Sequence, residues 1–255
     1  MNGRFDLTDK EWAVIEPLLP NKPRGVPRVY DRRVLNGIFW VLRTGAPWED
    51  MPPRYGPRTT VYNRFNRWRK AGVWKRIREH LQMDIEDDMY MIDSSVVRVH
   101  QHGTGARKKG GGHQETGRSR GGLTTKLHAL TDTQGRIAAL KLTPGQDHDL
   151  TAAGDLIGAV PADTILLADK AYDADAFIDA LNARAICPNI PNKTNRKEKR
   201  SFFPSLYKQR NAVERFFSKL KHFRRIATRY EKRADNYLAM SDLASARILM
   251  RALGV

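Results

Sequence analysis

Over its first third the chain alternates between amphipathic helical stretches and turn-forming ones. In LTDKEWAVIEPLL (residues 7–19), Trp12, Ile15, Leu18 and Leu19 recur at helical spacing behind Thr8 and Glu11, the pair of a capping box. A basic, Pro-rich link, NKPRGVPR, follows. Asp31 is placed to cap a second helix that buries Val34, Leu35, Ile38, Phe39, Val41 and Leu42. GAPWEDMPPRYGPR reads as a long turn. TVYNRFNRWRKAG reads as a third helix, with Val61, Phe65 and Trp68 inward, Arg64, Arg67, Arg69 and Lys70 outward, and Asn63 and Asn66 between them. Val73 to Leu81 supplies a fourth, and Trp48, Trp68 and Trp74 read as core. The acidic patch Asp84, Glu86, Asp87, Asp88 reads as a solvated linker.

The pattern then changes to short apolar runs. MYMIDS (89–94) is a strand ending on an acid, Asp93. Residues 101–122, QHGTGARKKGGGHQETGRSRGG, form a long basic loop suited to lie along a nucleic-acid backbone; lacking GxxxxGK[ST], it is not a nucleotide P-loop. LTTKLHALTD and RIAALKLTPG are strands of a hairpin turning at Thr133–Gly135. A helix follows GQDHD, and TILLA (164–168) is a buried strand that again ends on an acid, Asp169. Then come a helix (175–183), a strand (AICPNIP), a basic loop (NKTNRKEKRSFFP), a helix from Tyr207 to Lys221, and a closing helix from about Asn236 to Leu253. This order predicts an α/β domain with a mixed sheet and flanking helices at 85–255, preceded by a small all-α, helix-turn-helix-like domain at 1–84.

Charge changes the picture. The chain has 255 residues with 45 Lys+Arg against 28 Asp+Glu, a net +17. Residues 1–78 carry 17 basic and 7 acidic side chains, 98–126 carry 7 and 1, and 193–233 carry 15 and 3; residues 141–192 reverse the sign with 3 and 8. Basic blocks around an acidic middle suit nucleic acid gripped from several sides of a carboxylate-bearing core. Arg64 and Arg67 in the third helix, Arg118, Arg120 and Lys126 in the second block, and Arg224 and Arg225 in the third are candidate DNA contacts. An anionic membrane surface is the competing polyanion, but no apolar run approaches the ~18 residues of a span. One cysteine, Cys187, excludes an internal disulfide and any Cys-based zinc site. The expected compartment is the reducing cytoplasm, on nucleoid DNA.

Two acids, Asp93 and Asp169, each follow a strand of one predicted sheet. On neighbouring strands their carboxylates converge, and such like charges need a cation between them. Hard oxygen donors suit Mg²⁺ or Mn²⁺ rather than zinc. Glu214 lies in the region where a third carboxylate would come from a helix. At 100° per residue, Tyr207, Arg210, Glu214 and Lys221 fall within a ~60° arc of that helix, opposite Val213, Phe216, Phe217 and Leu220. Read alone, such a stripe is most often a surface with charge pairs, and a lone strand-end acid is most often a turn former or cap. His102, His113 and His148 read as exposed loop residues, with His148 and Lys170 close to the candidate acids.

At these residues the sequence resembles the DDE transposases of bacterial insertion sequences, in the group that joins families four and five and within it family five. The group's signature is Tyr, two residues, Arg, three residues, Glu, six residues, Lys, and Tyr207, Arg210, Glu214 and Lys221 meet it without departure. GRSRGGLTTKLHAL, LLADKAYDAD, and LTDKEWAVIEPLLP through VLRTGAPWEDMP to VYNRFNRWRKAGVW are similar to the same family, so the likeness runs over almost the whole chain. It implies an RNase H-like catalytic domain and a triad of Asp93, Asp169 and Glu214. It implies two Mg²⁺ ions per site, with Mn²⁺ able to substitute, and phosphodiester cleavage at the element's ends followed by 3′-OH attack on target DNA. It also implies Arg210 and Lys221 as phosphate clamps, Tyr207 against the DNA end, and two copies of the chain synapsing two ends. A nuclease of the same fold that cuts without joining, and a non-catalytic DNA-binding relative, are the alternatives.

Overall fold

The computed structural model describes residues 3–20, 30–82, 86–104 and 114–255. The Pro-rich link, the 84/85 boundary, and the Gly/Lys run with His113 lie outside the described residues. The chain forms two compact units: Met1–Met83 with His100–Gly105 and Leu220–Val255, and Asp84–Val99 with Ala106–Lys219.

The first unit is helical. Its elements are α1 (Asp9–Ile15), α2 (Asp31–Thr44), α3 (Arg58–Lys70) and α4 (Val73–His80), together with α9 (Arg224–Ala227) and α10 (Ala234–Ala252) from the far end of the chain. The capping box forms as its sequence requires: Glu11 N–H donates to Thr8 Oγ1 at 3.1 Å and Thr8 N–H to Glu11 Oε2 at 2.8 Å. Glu11 does a second job, since its carboxylate is buried and accepts from Arg247 of α10 at 3.1 Å. Arg78 of α4 likewise pairs with the buried Asp242 of α10 at 2.7 Å. Trp68 and Trp74 are core, packed edge to face with ring centroids 5.3 Å apart. Trp48 is only half-buried and packs on Tyr62 and Phe65. Gly72, at φ +67°, turns α3 into α4 in a left-handed conformation that favours glycine.

The second unit is built on a mixed sheet. Its strands are β1 (Met89–Val99), β2 (Gly117–Ser119), β3 (Gly122–Asp132), β4 (Ile137–Pro144), β5 (Ile165–Leu167) and β6 (Cys187–Asn189). The order is β2-β3-β1-β5-β6, with β4 also paired to β3. β1 runs antiparallel to β3 and parallel to β5, and β5 runs parallel to β6. The predicted hairpin is present. Gly135 at φ +74° sits in its turn, and Asp132 and Asp87 accept the turn's N–H groups, Asp87 from Thr133 at 3.1 Å. Asp87 is therefore a turn anchor rather than a solvated linker residue.

Helices α5 (Leu150–Leu156) and α6 (Asp175–Asn182) cover one face, where Tyr90, Ile92, Leu130 and Leu166 pack with Leu156, Phe177, Ile178 and Leu181. Side chains alternate along a strand, so Met91 and Asp93 of β1 point to the other face.

Candidate active site

Asp93 is the fifth residue of an eleven-residue strand, in its middle rather than at its end. The strand extends past MYMIDS because SSVVRV continues to pair with β3, down to Arg98 opposite Thr124. Asp169 stands just past β5. The parallel ladder pairs Met91 with Leu167, so Asp93 and Asp169 lie two residues beyond that pair on adjacent strands. The neighbouring arrangement required of them is met. Asp169 also caps the short turn that follows, accepting from Ala171 N–H at 2.8 Å.

The third acid arrives on α8 (Asn211–Lys221). Val213, Phe216, Phe217 and Leu220 are buried as the pattern predicts, joined by Ala212, and burial of each large side chain contributes about 1.5–3 kcal/mol. Gly135 lets the hairpin approach this helix, since a Cβ there would lie 2.9 Å from the Ala212 carbonyl oxygen. The helix does not run unbroken from Tyr207. Pro204 opens a short helix, α7 (Pro204–Tyr207), and a tighter 3₁₀ turn spans Lys208–Arg210 before α8 begins. The uniform 100° rotation assumed from sequence therefore fails at Arg210. Its guanidinium nonetheless reaches both ways, donating to Asp93 Oδ2 at 2.9 Å and to Glu214 Oε1 at 2.6 Å. Tyr207 lies beside it, ring centroid 5.7 Å from the Arg210 Cζ, with its other contact on Phe202. Lys221 is exposed at the end of α8.

Burial pushes the Asp93 carboxyl above the usual range; Arg210 and the Ser94 N–H pull it down, and Asp169 adds to the rise. Next to it sits a group the sequence reading passed over. Ser94 Oγ donates to Asp149 Oδ1 at 2.6 Å, and Lys126 Nζ lies 2.9 Å from the same oxygen. Burial opposes the charge on Asp149, but these two partners hold its carboxyl below the ordinary range. Tyr172 is fully buried, and its hydroxyl has no hydrogen-bond partner among the described residues. Burial, then the charges of Asp149, Asp93 and Asp169, raise its pKa, so it stays protonated. The D-K-A-Y spacing after Asp169 was its available signal.

Several expected DNA contacts are turned inward. Arg64 is buried against Asp31, with its guanidinium over Trp68. Lys126 is buried on Asp149, and Arg225 is buried on Glu231 at 2.6 Å and the Ala46 carbonyl at 2.8 Å. The common cause is that a nearby carboxylate offers each cation a desolvated partner, which periodicity cannot reveal. Arg67, Arg118, Arg120 and Arg224 are exposed. On α3, Asn63, Asn66, Arg67 and Lys70 line a concavity of about 440 Å³. Arg67→Ala should therefore weaken DNA binding without moving the melting temperature, and lower the slope of log K against log salt by about 1. Arg64→Ala should lower the melting temperature instead.

The mixed sheet thus carries Asp93 on β1 and Asp169 just past the neighbouring β5, with Glu214 on a helix linked to Asp93 through Arg210. The family model "Transposase DDE domain" matches residues 86–249, and "Putative transposase of IS4/5 family" matches residues 7–78. The chain is 40% identical over 136 residues to the "Putative transposase for insertion sequence element IS6501" of Brucella ovis, covering 51% of this chain and all of that one. It is 34% identical over 153 residues to the "Putative transposase for insertion sequence element IS402" of Burkholderia cepacia, covering 56% of this chain and 69% of the relative. Its fold is similar to a piggyBac transposase in a synaptic complex with hairpin DNA, with a TM-score of 0.50 at 10% identity over 95% of this chain and 71% of that one. The chain belongs to the DDE transposases, metal-dependent enzymes of DNA strand cleavage and transfer, and its sheet is of the RNase H-like kind. Among the described residues no helix is long and apolar enough to cross a membrane.

Proposed function

We propose that Asp93, Asp169 and Glu214 are the DDE triad of an insertion-sequence transposase that cleaves its element's ends and joins their 3′-OH groups to target DNA. The observation that carries this reading is the Arg210 guanidinium, which reaches Asp93 across 117 positions of sequence and also pairs with Glu214. A cation already bridges two of the three acids.

The donor set fits a hard divalent ion, Mg²⁺ with Mn²⁺ as substitute and two per site: three carboxylates and no sulfur or imidazole. In the present arrangement no three acidic, His or Cys side chains among the described residues stand close enough to hold an ion. Glu214 is 54% exposed at its side chain and free to turn, whereas Arg210 is 16% exposed and held by Asp93. Bound there, divalent ions would supply Lewis-acid stabilisation of the attacking and leaving oxygens.

The chain's own residues do the rest. Arg210 neutralises the repulsion among the acids, and on release its planar fork suits a phosphate bidentately. Tyr207 stacks on that guanidinium and limits where it can swing. Lys221, Lys170, Arg118, Arg120 and Arg224 supply exposed charge for backbone phosphates, and Arg67 serves the N-terminal helical domain. Tyr172 places a buried, protonated hydroxyl within electrostatic reach of Asp149, Asp93 and Asp169, without a hydrogen bond to any of them. Two copies of the chain would synapse two ends. The test is a strand-transfer assay with Mg²⁺ on duplexes carrying the inverted repeats that flank the coding sequence. Joined product is expected; hydrolysis without joining would favour the nuclease.

A further inference from the structure

The basic stretch Lys193–Arg200 has no regular secondary structure, yet it is pinned at both ends and in its middle. Asn189 and Phe203 exchange hydrogen bonds of 3.1 and 2.8 Å through the Asn189 amide. Asn192 does the same with the backbone of Arg200, at 2.9 and 2.8 Å. At the centre is Asp173, whose carboxylate is 2% exposed and accepts from the Lys193 N–H, Arg196 Nε and Arg200 Nη1, each at 2.8 Å. Asp175 takes a second bond from each arginine.

This hub spends the two arginines on structure. It leaves Lys197 and Lys199 exposed and Lys193 half-buried, and none of the three has an ion pair among the described residues. With Asn195, Arg196 and Arg200, and with the acids Asp175 and Glu198, they line an open cavity of about 690 Å³ in which basic side chains outnumber acidic ones. A loop merely rich in lysine would lose conformational entropy on gripping a ligand. Here that ordering is already done by two amide staples and a buried carboxylate. A net-basic concavity that is open and lined only by charged and polar residues suits an extended polyanion rather than a small apolar ligand.

Position completes the argument. Asp173 is four residues after Asp169, so their Cα atoms are at most about 15 Å apart. One strand of a duplex advances 3.4 Å per phosphate, so that reach is roughly four nucleotides. We propose that the stapled loop Lys193–Arg200 is a second phosphate clamp, holding the backbone of duplex DNA several nucleotides from Asp169, with Asp173 as its anchor. The proposal rests on the transposase reading for its partner. Lysines contact phosphates rather than base edges, so the clamp is blind to sequence.

The experiment is equilibrium binding of the full chain to duplex DNA in EDTA over a salt series, comparing wild type with Lys197→Ala/Lys199→Ala. Both side chains are exposed, so the variant should keep its melting temperature. Affinity should fall about tenfold, and the slope of log K against log salt should shrink by about 2. The loss should appear on an element-end duplex and on a random one of equal length. A loss confined to one of the two duplexes would contradict a clamp that contacts only phosphates. Asp173→Asn should lose affinity as well while keeping every lysine, because the clamp loosens. An unchanged salt slope in the double variant, on both duplexes, overturns the proposal. Because binding is read without divalent metal, failure of the triad would show as normal catalysis in triad variants and leave this result unaffected.

Discussion

Asp93→Asn should abolish strand cleavage and joining while making the folded protein more stable. On the proposed triad the catalytic loss is expected to be ~10³-fold or more, since a metal ligand contributes several kcal/mol of transition-state charge stabilisation and each 1.36 kcal/mol is tenfold. The stability gain follows from burial. Burial raises the Asp93 carboxyl in the folded chain in spite of Arg210. An acid whose folded pKa exceeds its unfolded value, ~3.9, binds its proton more tightly when folded. Its ionised form therefore opposes folding at neutral pH. The penalty falls away as pH drops through the folded value and is gone below about pH 4. The Asn variant should melt higher than wild type at pH 7 and at the same temperature near pH 3.5. A lower melting temperature at pH 7 would mean that the Arg210 pair outweighs the desolvation of Asp93.

The second large effect is structural. Glu11→Ala removes the acceptor of Thr8 N–H and strands the buried Arg247, whose guanidinium is also bonded to the Asp6 carbonyl at 2.7 Å. Removing one partner of a buried ion pair costs about 3–5 kcal/mol, because the remaining charge is left without its counter-charge. For a chain of this size that is a fall in melting temperature of roughly 10 °C, at 2–4 °C per kcal/mol. Thr8→Ala, which removes only the cap, should cost about 1 kcal/mol. Equal losses from the two substitutions, measured by thermal melts, would show that the Arg247 pair contributes nothing.

The contrast between Glu11 and Glu214 shows what sequence pattern could and could not convey. Thr8 and Glu11 announced a helix start, because a capping box is local and three residues long. That Glu11 also receives Arg247 from α10 involves 236 positions of sequence separation, and nothing in either segment encodes it. Arg64 and Lys126 also sit at positions that read as outward and are drawn inward by acids from other segments, Asp31 and Asp149, whereas Arg225 turns onto Glu231 only six residues on. Asp93 and Asp169 stood out because a carboxylate beside an apolar run is conspicuous, although Asp93 proves to lie in the middle of its strand rather than after it. The length of β1 was not legible, because Ser94, Ser95 and Arg98 break the apolar run while the ladder to β3 continues. The α8 face was legible apart from Ala212, which is also buried. The 3₁₀ turn before it was not, since its one cue, Pro204, marks only where a helix can begin. Tyr172 and Asp149 escaped notice because their importance lies in what surrounds them: a hydroxyl without a partner, and a carboxylate held by Ser94 and Lys126.

On the proposed triad, Asp93 of β1, Asp169 past the end of β5 and Glu214 of α8 share one divalent-metal centre, with Arg210 paired to Asp93 and Glu214. Mn²⁺ titration of the full chain, followed by the paramagnetic resonance signal of the free ion, tests it most directly. Wild type should bind saturably, and Asp169→Asn and Glu214→Gln should each weaken binding at least tenfold without changing the melting temperature in EDTA by more than a few degrees. Isotherms for both variants that superimpose on the wild-type curve would contradict the account.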